Sequence, residues 1–290
     1  MLSTEQKRKR MTAFAIDKKR KIAAGGFFIF TKARVYDKIS NIDFIYKIKN
    51  LETEHFMFEI VTDNTADLYE GYYEQNPARR LPFSFTLEDR FYERDDEYPI
   101  ELFYEKLKAG KLVRTSQINP HDAEVEFEKV LQEGKDVLYI GFSSGMSGSF
   151  DNISYIAKGL RIKYPERKII VVDTLSGAGG EGLLFYYARK MQQEGKSMEE
   201  IAEWVENNKL NTHHCFIVSD LINLRNSGRI STLAALFGMI VHINPVLELT
   251  REGKIGIGTK SIGRKKSIAE MVKFFKQNYI PSDNDFILVG

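Results

Sequence analysis

From about residue 57 onward, the apolar and polar positions of this 290-residue chain fall into a repeated order of strand, polar loop and helix. Apolar runs of strand length lie at 58–62, 81–85, 137–140, 169–172 and 215–218, with a shorter candidate at 91–92. Between them the apolar residues take helical spacing. Ile100, Phe103, Tyr104 and Leu107 predict a helix that stops at Gly110, and Asn119 followed by Pro120 predicts an N-cap and first turn for a helix running to about Gln132. Ile153, Ile156, Ala157 and Leu160 mark one face of another helix. A further helix starts at Leu183, and Ser197 with Glu200 forms a capping box ahead of Ile201, Trp204 and Val205. The run at 169–172 is nearly continuous in apolar residues, the pattern of a strand covered on both faces in a parallel sheet.

Beyond residue 215 the pattern changes. A loop or short helix spans 221–229 and a helix 231–237, then two strands at 246–249 and 255–259 flank a polar turn and read as a β-hairpin. A helix at 265–277 precedes a last apolar run at 286–289. The expected fold class is α/β: an N-terminal parallel-sheet α/β domain at 57–214, followed by a smaller α+β domain at 215–290. Because the last apolar run ends the chain, the smaller domain is expected to be truncated at the C-terminus. Residues 1–56 read as a basic, poorly ordered extension, with Met57 as an alternative start.

Composition narrows the function classes. Hydrophobic residues make up 43% of the chain, enough for a sizeable core. Residues 1–56 carry 13 Lys/Arg against 6 Asp/Glu, leaving 29 against 34 for the rest. The body is therefore mildly acidic, which argues against a nucleic-acid surface on it. One cysteine, Cys215, excludes an internal disulfide framework and fits a reducing, cytoplasmic location. The apolar stretch at 22–30 is shorter than a membrane span and predicts no stable membrane insertion.

Candidate chemistry concentrates at residues 136–151, DVLYIGFSSGMSGSFD, where a strand feeds a Gly/Ser loop onto a helix start. Gly141, Gly145 and Gly148 permit close backbone approach, and Ser143, Ser144, Ser147 and Ser149 add hydroxyls to the unpaired N–H groups of a helix end. Such a loop suits a carboxylate, a phosphate or an oxyanion. Asp63, Asn64 and Thr65 place a second cluster of short polar groups at a strand end.

Several of these segments recur in order in one family. Residues 62–68 (TDNTADL), 115–117 (TSQ), 143–149 (SSGMSGS), 172–174 (VDT), 228–231 (GRIS) and the hairpin at 245–260 resemble the DegV family, from about Phe58 to Gly290. The resemblance implies a bacterial two-domain lipid-binding protein that has no catalysis of its own and needs no cofactor. Its ligand would be a long-chain fatty acid, with the acyl chain in an apolar tunnel and the carboxylate held by Thr115, Ser116 and one of Ser143 and Ser144. It further implies a fatty-acid kinase partner, which makes an acyl phosphate for phospholipid synthesis, with Arg229 contacting the phosphoryl group or the kinase. Leu233, Leu236, Phe237, Ile240 and Ile243 would line the tunnel or form ordinary core.

Two other readings compete. Residues 141–145 match G-x-S-x-G, the nucleophile elbow of serine hydrolases, with Ser143 as nucleophile and Asp173 with His213, His214 or His242 as triad partners. A metal site is disfavoured, because His213, His214 and Cys215 are consecutive and point to alternate faces of a strand. Asp63, Asp67 and Asp173 read as caps and turns. The basic residues Lys254, Lys260, Arg264, Lys265 and Lys266 read as a solvated face or a partner surface.

Overall fold

A computed structural model describes residues 27–31, 57–69, 71–94, 97–218, 221–230, 245–261, 263–279 and 287–289. The expected α/β organisation is present. Strands β2 (Phe58–Asp63), β3 (Arg79–Leu81), β7 (Asp136–Gly141) and β8 (Ile169–Asp173) form a sheet in the order β3-β2-β7-β8, parallel at every pair. Helices α3 (Pro120–Gln132) and α4 (Ser149–Lys163) cover one face of it. Helices α5 (Ala178–Gln193) and α6 (Met198–Asn208) cover the other, with the short α1 (Tyr72–Gln75) adding Tyr72 to that layer.

The periodicity read from the sequence is the one that fills these layers. Phe127, Val130, Leu131, Ile153, Ala157 and Leu160 are buried with Val137 and Tyr139 on one side of β7, while Leu138 and Ile140 meet Leu184, Phe185, Ile201 and Val205 on the other. The caps also form as expected. Asn119 accepts a hydrogen bond from the N–H of His121 at 3.0 Å, and Ser197 and Glu200 make a reciprocal capping box. Because all four strands run parallel, their carboxyl ends place the loops at 63–65, 142–148 and 174–177 on one edge of the sheet.

The expected strand at 81–85 is instead two short strands. After β3 the chain turns and continues as β4 (Phe85–Leu87), which pairs with β5 (Arg90–Tyr92) and β6 (Val113–Thr115) in a small antiparallel sheet. That sheet packs Phe85, Leu87 and Tyr92 against Tyr98, and against Phe103 of α2 (Ile100–Lys108). It delivers Thr115 at the end of β6.

A second large sheet has the order β11-β10-β9-β1-β12, made by β9 (Thr212–Phe216), β10 (Val246–Leu249), β11 (Ile255–Thr259), β1 (Phe27–Thr31) and β12 (Ile287–Val289). All its described pairs are antiparallel. Helix α8 (Arg264–Asn278) packs Met271 and Phe274 onto it beside Cys215 and Val246. The sheet takes in Thr212, slightly ahead of the boundary read at residue 215.

Phe27–Thr31 departs from the expectation of a poorly ordered extension, because it pairs with β9 on one side and β12 on the other. The segment FFIFT consists entirely of strand-favouring residues, which the charge of its flanks obscured. The helix read at 231–237 and the tunnel residues Leu233 to Ile243 lie outside the described residues.

Candidate functional site

The loop after β7 is tied down along its length. Its amides donate in turn to protein acceptors: Phe142 to Asp63 Oδ2 at 3.0 Å, Ser143 to the Ser176 carbonyl at 2.9 Å, and Ser144 to Asp173 Oδ1 at 3.2 Å. Gly145 N–H donates to Ser143 Oγ at 3.1 Å, and Met146 and Ser147 to the Ser143 carbonyl at 3.1 and 3.2 Å. The sequence led us to expect free N–H groups here. The tertiary structure consumes those of residues 142–147.

The two serines left open by the sequence differ sharply. Ser143 is fully buried, and its hydroxyl donates to the Gly253 carbonyl in the hairpin turn at 2.8 Å. Ser144 is exposed. Thr115 and Ser116 are exposed as well, and their loop is joined to the start of α4. Ile118 N–H donates to Ser149 Oγ at 3.0 Å, and the Asn152 amide donates to Gln117 Oε1 at 2.7 Å. Arg229, just after α7 (Ile222–Asn226), reaches the same loop, with Nε donating to the Met146 carbonyl at 3.2 Å and one terminal nitrogen to the Ser227 carbonyl at 2.7 Å. Ser143, Ser144 and Arg229 thus meet at the loop after β7, while Thr115 and Ser116 stand on a segment whose next residues, Gln117 and Ile118, bond to the start of α4. A carboxylate there would find exposed hydroxyls and one guanidinium.

Beneath the loop lies a buried polar cluster in which sequence reading named Asp63 and Thr65 but missed Glu181. Asp63 and Glu181 have no exposed surface and lie within hydrogen-bonding reach of each other. Asp63 accepts from Thr65 N–H at 3.1 Å, Tyr139 OH at 3.1 Å, Phe142 N–H, and the Thr65 hydroxyl. Glu181 faces the hydroxyls of Thr65 and Thr62 at 2.7 and 3.2 Å. Burial holds the Glu181 carboxyl well above its usual range, and the neighbouring Asp63 charge pushes it the same way. Burial also raises Asp63, against hydrogen bonds that lower it. Glu181 lies in the first turn of α5, where the helix dipole favours an anion by about 0.3–1 kcal/mol. An uncompensated buried charge costs several kcal/mol, so burial prevails. The one signal in the sequence was an acidic residue inside a run otherwise made of Gly, Ala and Leu.

The geometry gives little to the hydrolase reading. Ser143 Oγ is committed to a carbonyl, its backbone is not among those with positive φ, and His214 lies in β9 with Nε2 against the Gly177 carbonyl at 3.3 Å. Asp173 serves as a cap for the amides of Ser144 and Leu175. His242 lies outside the described residues. Burial lowers His214 to about 4 and raises the Cys215 thiol to about 12, so the imidazole is neutral and the thiol inert at neutral pH. Among the described residues no group of three His, Cys, Asp or Glu is placed to hold a metal ion. No helix among them is long and apolar enough to cross a membrane.

An α/β fold in which the carboxyl-edge loops of a parallel sheet meet a hairpin from a second large sheet defines the class of molecule. A family model described as "Uncharacterised protein, DegV family" matches residues 57–289, and the chain belongs to that family. It is 34% identical over 235 residues to a DegV domain-containing protein of Clostridium perfringens, covering 80% of this chain and 81% of that one. Among solved structures it resembles a fatty-acid-binding DegV family protein from Thermus thermophilus, with a TM-score of 0.68 and 28% identity over 77% of this chain and 78% of that one. It also resembles DegV, a fatty-acid-binding protein from Bacillus subtilis, with a TM-score of 0.66 and 25% identity over 77% and 78% of the two chains.

Proposed function

We propose that this protein binds a long-chain fatty acid without transforming it and presents it to a fatty-acid kinase for acyl-phosphate formation. The binding half is supported by Ser144 and Arg229 at the loop after β7 and by the bonds of Gln117 and Ile118, next to Thr115 and Ser116, to the start of α4, in a fold whose solved relatives bind fatty acids. A buried or half-buried carboxylate needs strong donors, and a charge-assisted bond to a guanidinium contributes about 1.5–3 kcal/mol. The acyl chain supplies the larger share, at about 0.8 kcal/mol per buried methylene. In this reading Ser144 and Thr115 donate to the carboxylate, and Ser143 supports them by fixing the hairpin turn. In the same reading Arg229 contacts the phosphoryl group or the kinase.

Native mass spectrometry of the purified chain, followed by solvent extraction, tests the binding half. The expected result is a mass increment that matches a long-chain fatty acid, diminished in Thr115→Ala/Ser144→Ala. A folded protein that is empty and takes up no added fatty acid would overturn the reading. The kinase half is tested by adding a bacterial fatty-acid kinase and ATP to the loaded protein and assaying acyl phosphate. Transfer to the wild type and none to Arg229→Ala is the expected outcome, and no acyl phosphate from loaded wild type would sink it.

A further inference from the structure

Neither established family membership nor the proposed ligand accounts for two fully buried carboxyls directly under the loop. Their hydrogen bonds can be counted. Thr65 has one hydroxyl proton for two carboxyl contacts, one to Asp63 and one to Glu181 Oε2 at 2.7 Å. One of those two contacts therefore has no proton unless a carboxyl supplies it. Thr62 likewise has one proton, and its 2.8 Å bond to the Ile140 carbonyl is shorter than the 3.2 Å approach to Glu181 Oε1. Asp63, by contrast, is met by two backbone N–H groups and a phenol, all donors, besides the Thr65 hydroxyl it shares with Glu181, so the negative charge belongs on Asp63 and the proton on Glu181.

We propose that the pair carries a single negative charge, on Asp63, with Glu181 held as the neutral acid, and that Glu181 is thereby a positioning residue for the anion-binding loop. The Glu181 hydroxyl has both Thr65 Oγ and the Asp63 carboxylate within reach, and Asp63 in turn accepts from Phe142 N–H of the loop. Loss of the Glu181 proton would place two anions side by side under a loop that receives a third. Around the pair stand Asp67 and Tyr73 after β2, Tyr139 on β7 and Asp173 on β8. His214 on β9, kept neutral by burial, packs against Gly180 of α5. Among the described residues no lysine or arginine forms a salt bridge with either carboxyl, and Arg80 is spent over the Tyr73 ring. Nothing described offsets a second charge. Burial raises Glu181 in the same direction as this count.

The role in ligand binding rests on the fatty-acid reading above, and the protonation itself does not. Infrared difference spectroscopy of the full chain at neutral pH, wild type minus Glu181→Gln, should show the carbonyl stretch of a protonated carboxyl. Coincident spectra would overturn the proposal. Oleate affinity and urea stability are then followed from pH 6 to pH 9.5. In wild type both should fall with rising pH, affinity by at most about tenfold per pH unit for one linked proton, while Glu181→Gln stays flat because its amide replaces the neutral acid. Matching pH profiles in the two proteins would refute the positioning role. If neither protein takes up oleate, the fatty-acid reading fails, and the infrared band with the urea profile still decides whether Glu181 holds its proton.

Discussion

Ser143 Oγ donates to the carbonyl of Gly253 at 2.8 Å, and this one bond joins the loop of the parallel sheet to the turn of the hairpin in the second sheet. Both residues are buried. The approach is close enough that a Cβ on Gly145 would overlap the Glu252 carbonyl, and one on Gly253, at φ 67°, would overlap Ser143 Oγ. A backbone passing this near leaves room for glycine alone.

Gly145→Ala is therefore expected to lower stability by about 1–3 kcal/mol, in the range of overpacking costs. Limited trypsin digestion should then cut faster at Arg251 and Lys254 in the turn. Gly159→Ala serves as the control, since Gly159 lies in α4 with open space around its Cβ position, and it should gain about 0.5–1 kcal/mol. Urea denaturation of both variants checks the pair. Equal behaviour would remove the hairpin contact as a constraint.

Ser143 and Ser144 should separate by phenotype. Ser143→Ala leaves the buried Gly253 carbonyl without its hydroxyl donor, and is expected to cost about 1–3 kcal/mol of stability. Ser144→Ala, at an exposed side chain, should leave the melting temperature unchanged and weaken fatty-acid binding. Thermal melts and ligand titrations on the two variants decide. The reverse assignment would show that Ser143 is the contact to the carboxylate.

His214 predicts an acid limb of stability. Its folded value lies near 4 against 6.5 in the unfolded chain, so between those values the unfolded state binds the proton and the folded state does not. Stability is retained above pH 6.5 and declines as the pH falls towards 4, by roughly 3 kcal/mol in total. His214→Gln keeps a donor for the Gly177 carbonyl and should flatten that limb relative to wild type. Urea unfolding at pH 7, 5.5 and 4 measures it, and parallel pH profiles would exclude His214 as the source.

Strand β1 supplies a test of the second sheet. It sits between β9 and β12, so Ile29→Pro removes a ladder donor in the middle of a sheet. Amide hydrogen exchange at 212–216 should accelerate in that variant while β7 and β8 keep their protection. Unchanged exchange at 212–216 would mean that β9 does not depend on this neighbour.

What the sequence by itself determined was everything carried by near neighbours in the chain. The Asn119–Pro120 helix start, the Ser197–Glu200 capping box, the apolar faces of α3, α4 and α6, and the hairpin between β10 and β11 depend on spacings of a few residues. The six ordered motifs named the family for the same reason, because each is a local run. Tertiary structure decided what depends on distant segments. It selected Ser144 over Ser143 for exposure through a bond across 110 positions, brought Glu181 to Thr65 across 116, and placed Phe27–Thr31 beside a strand near residue 214. Burial acts only on the folded chain, so it can make one serine structural and one glutamate neutral without leaving a mark in the local pattern.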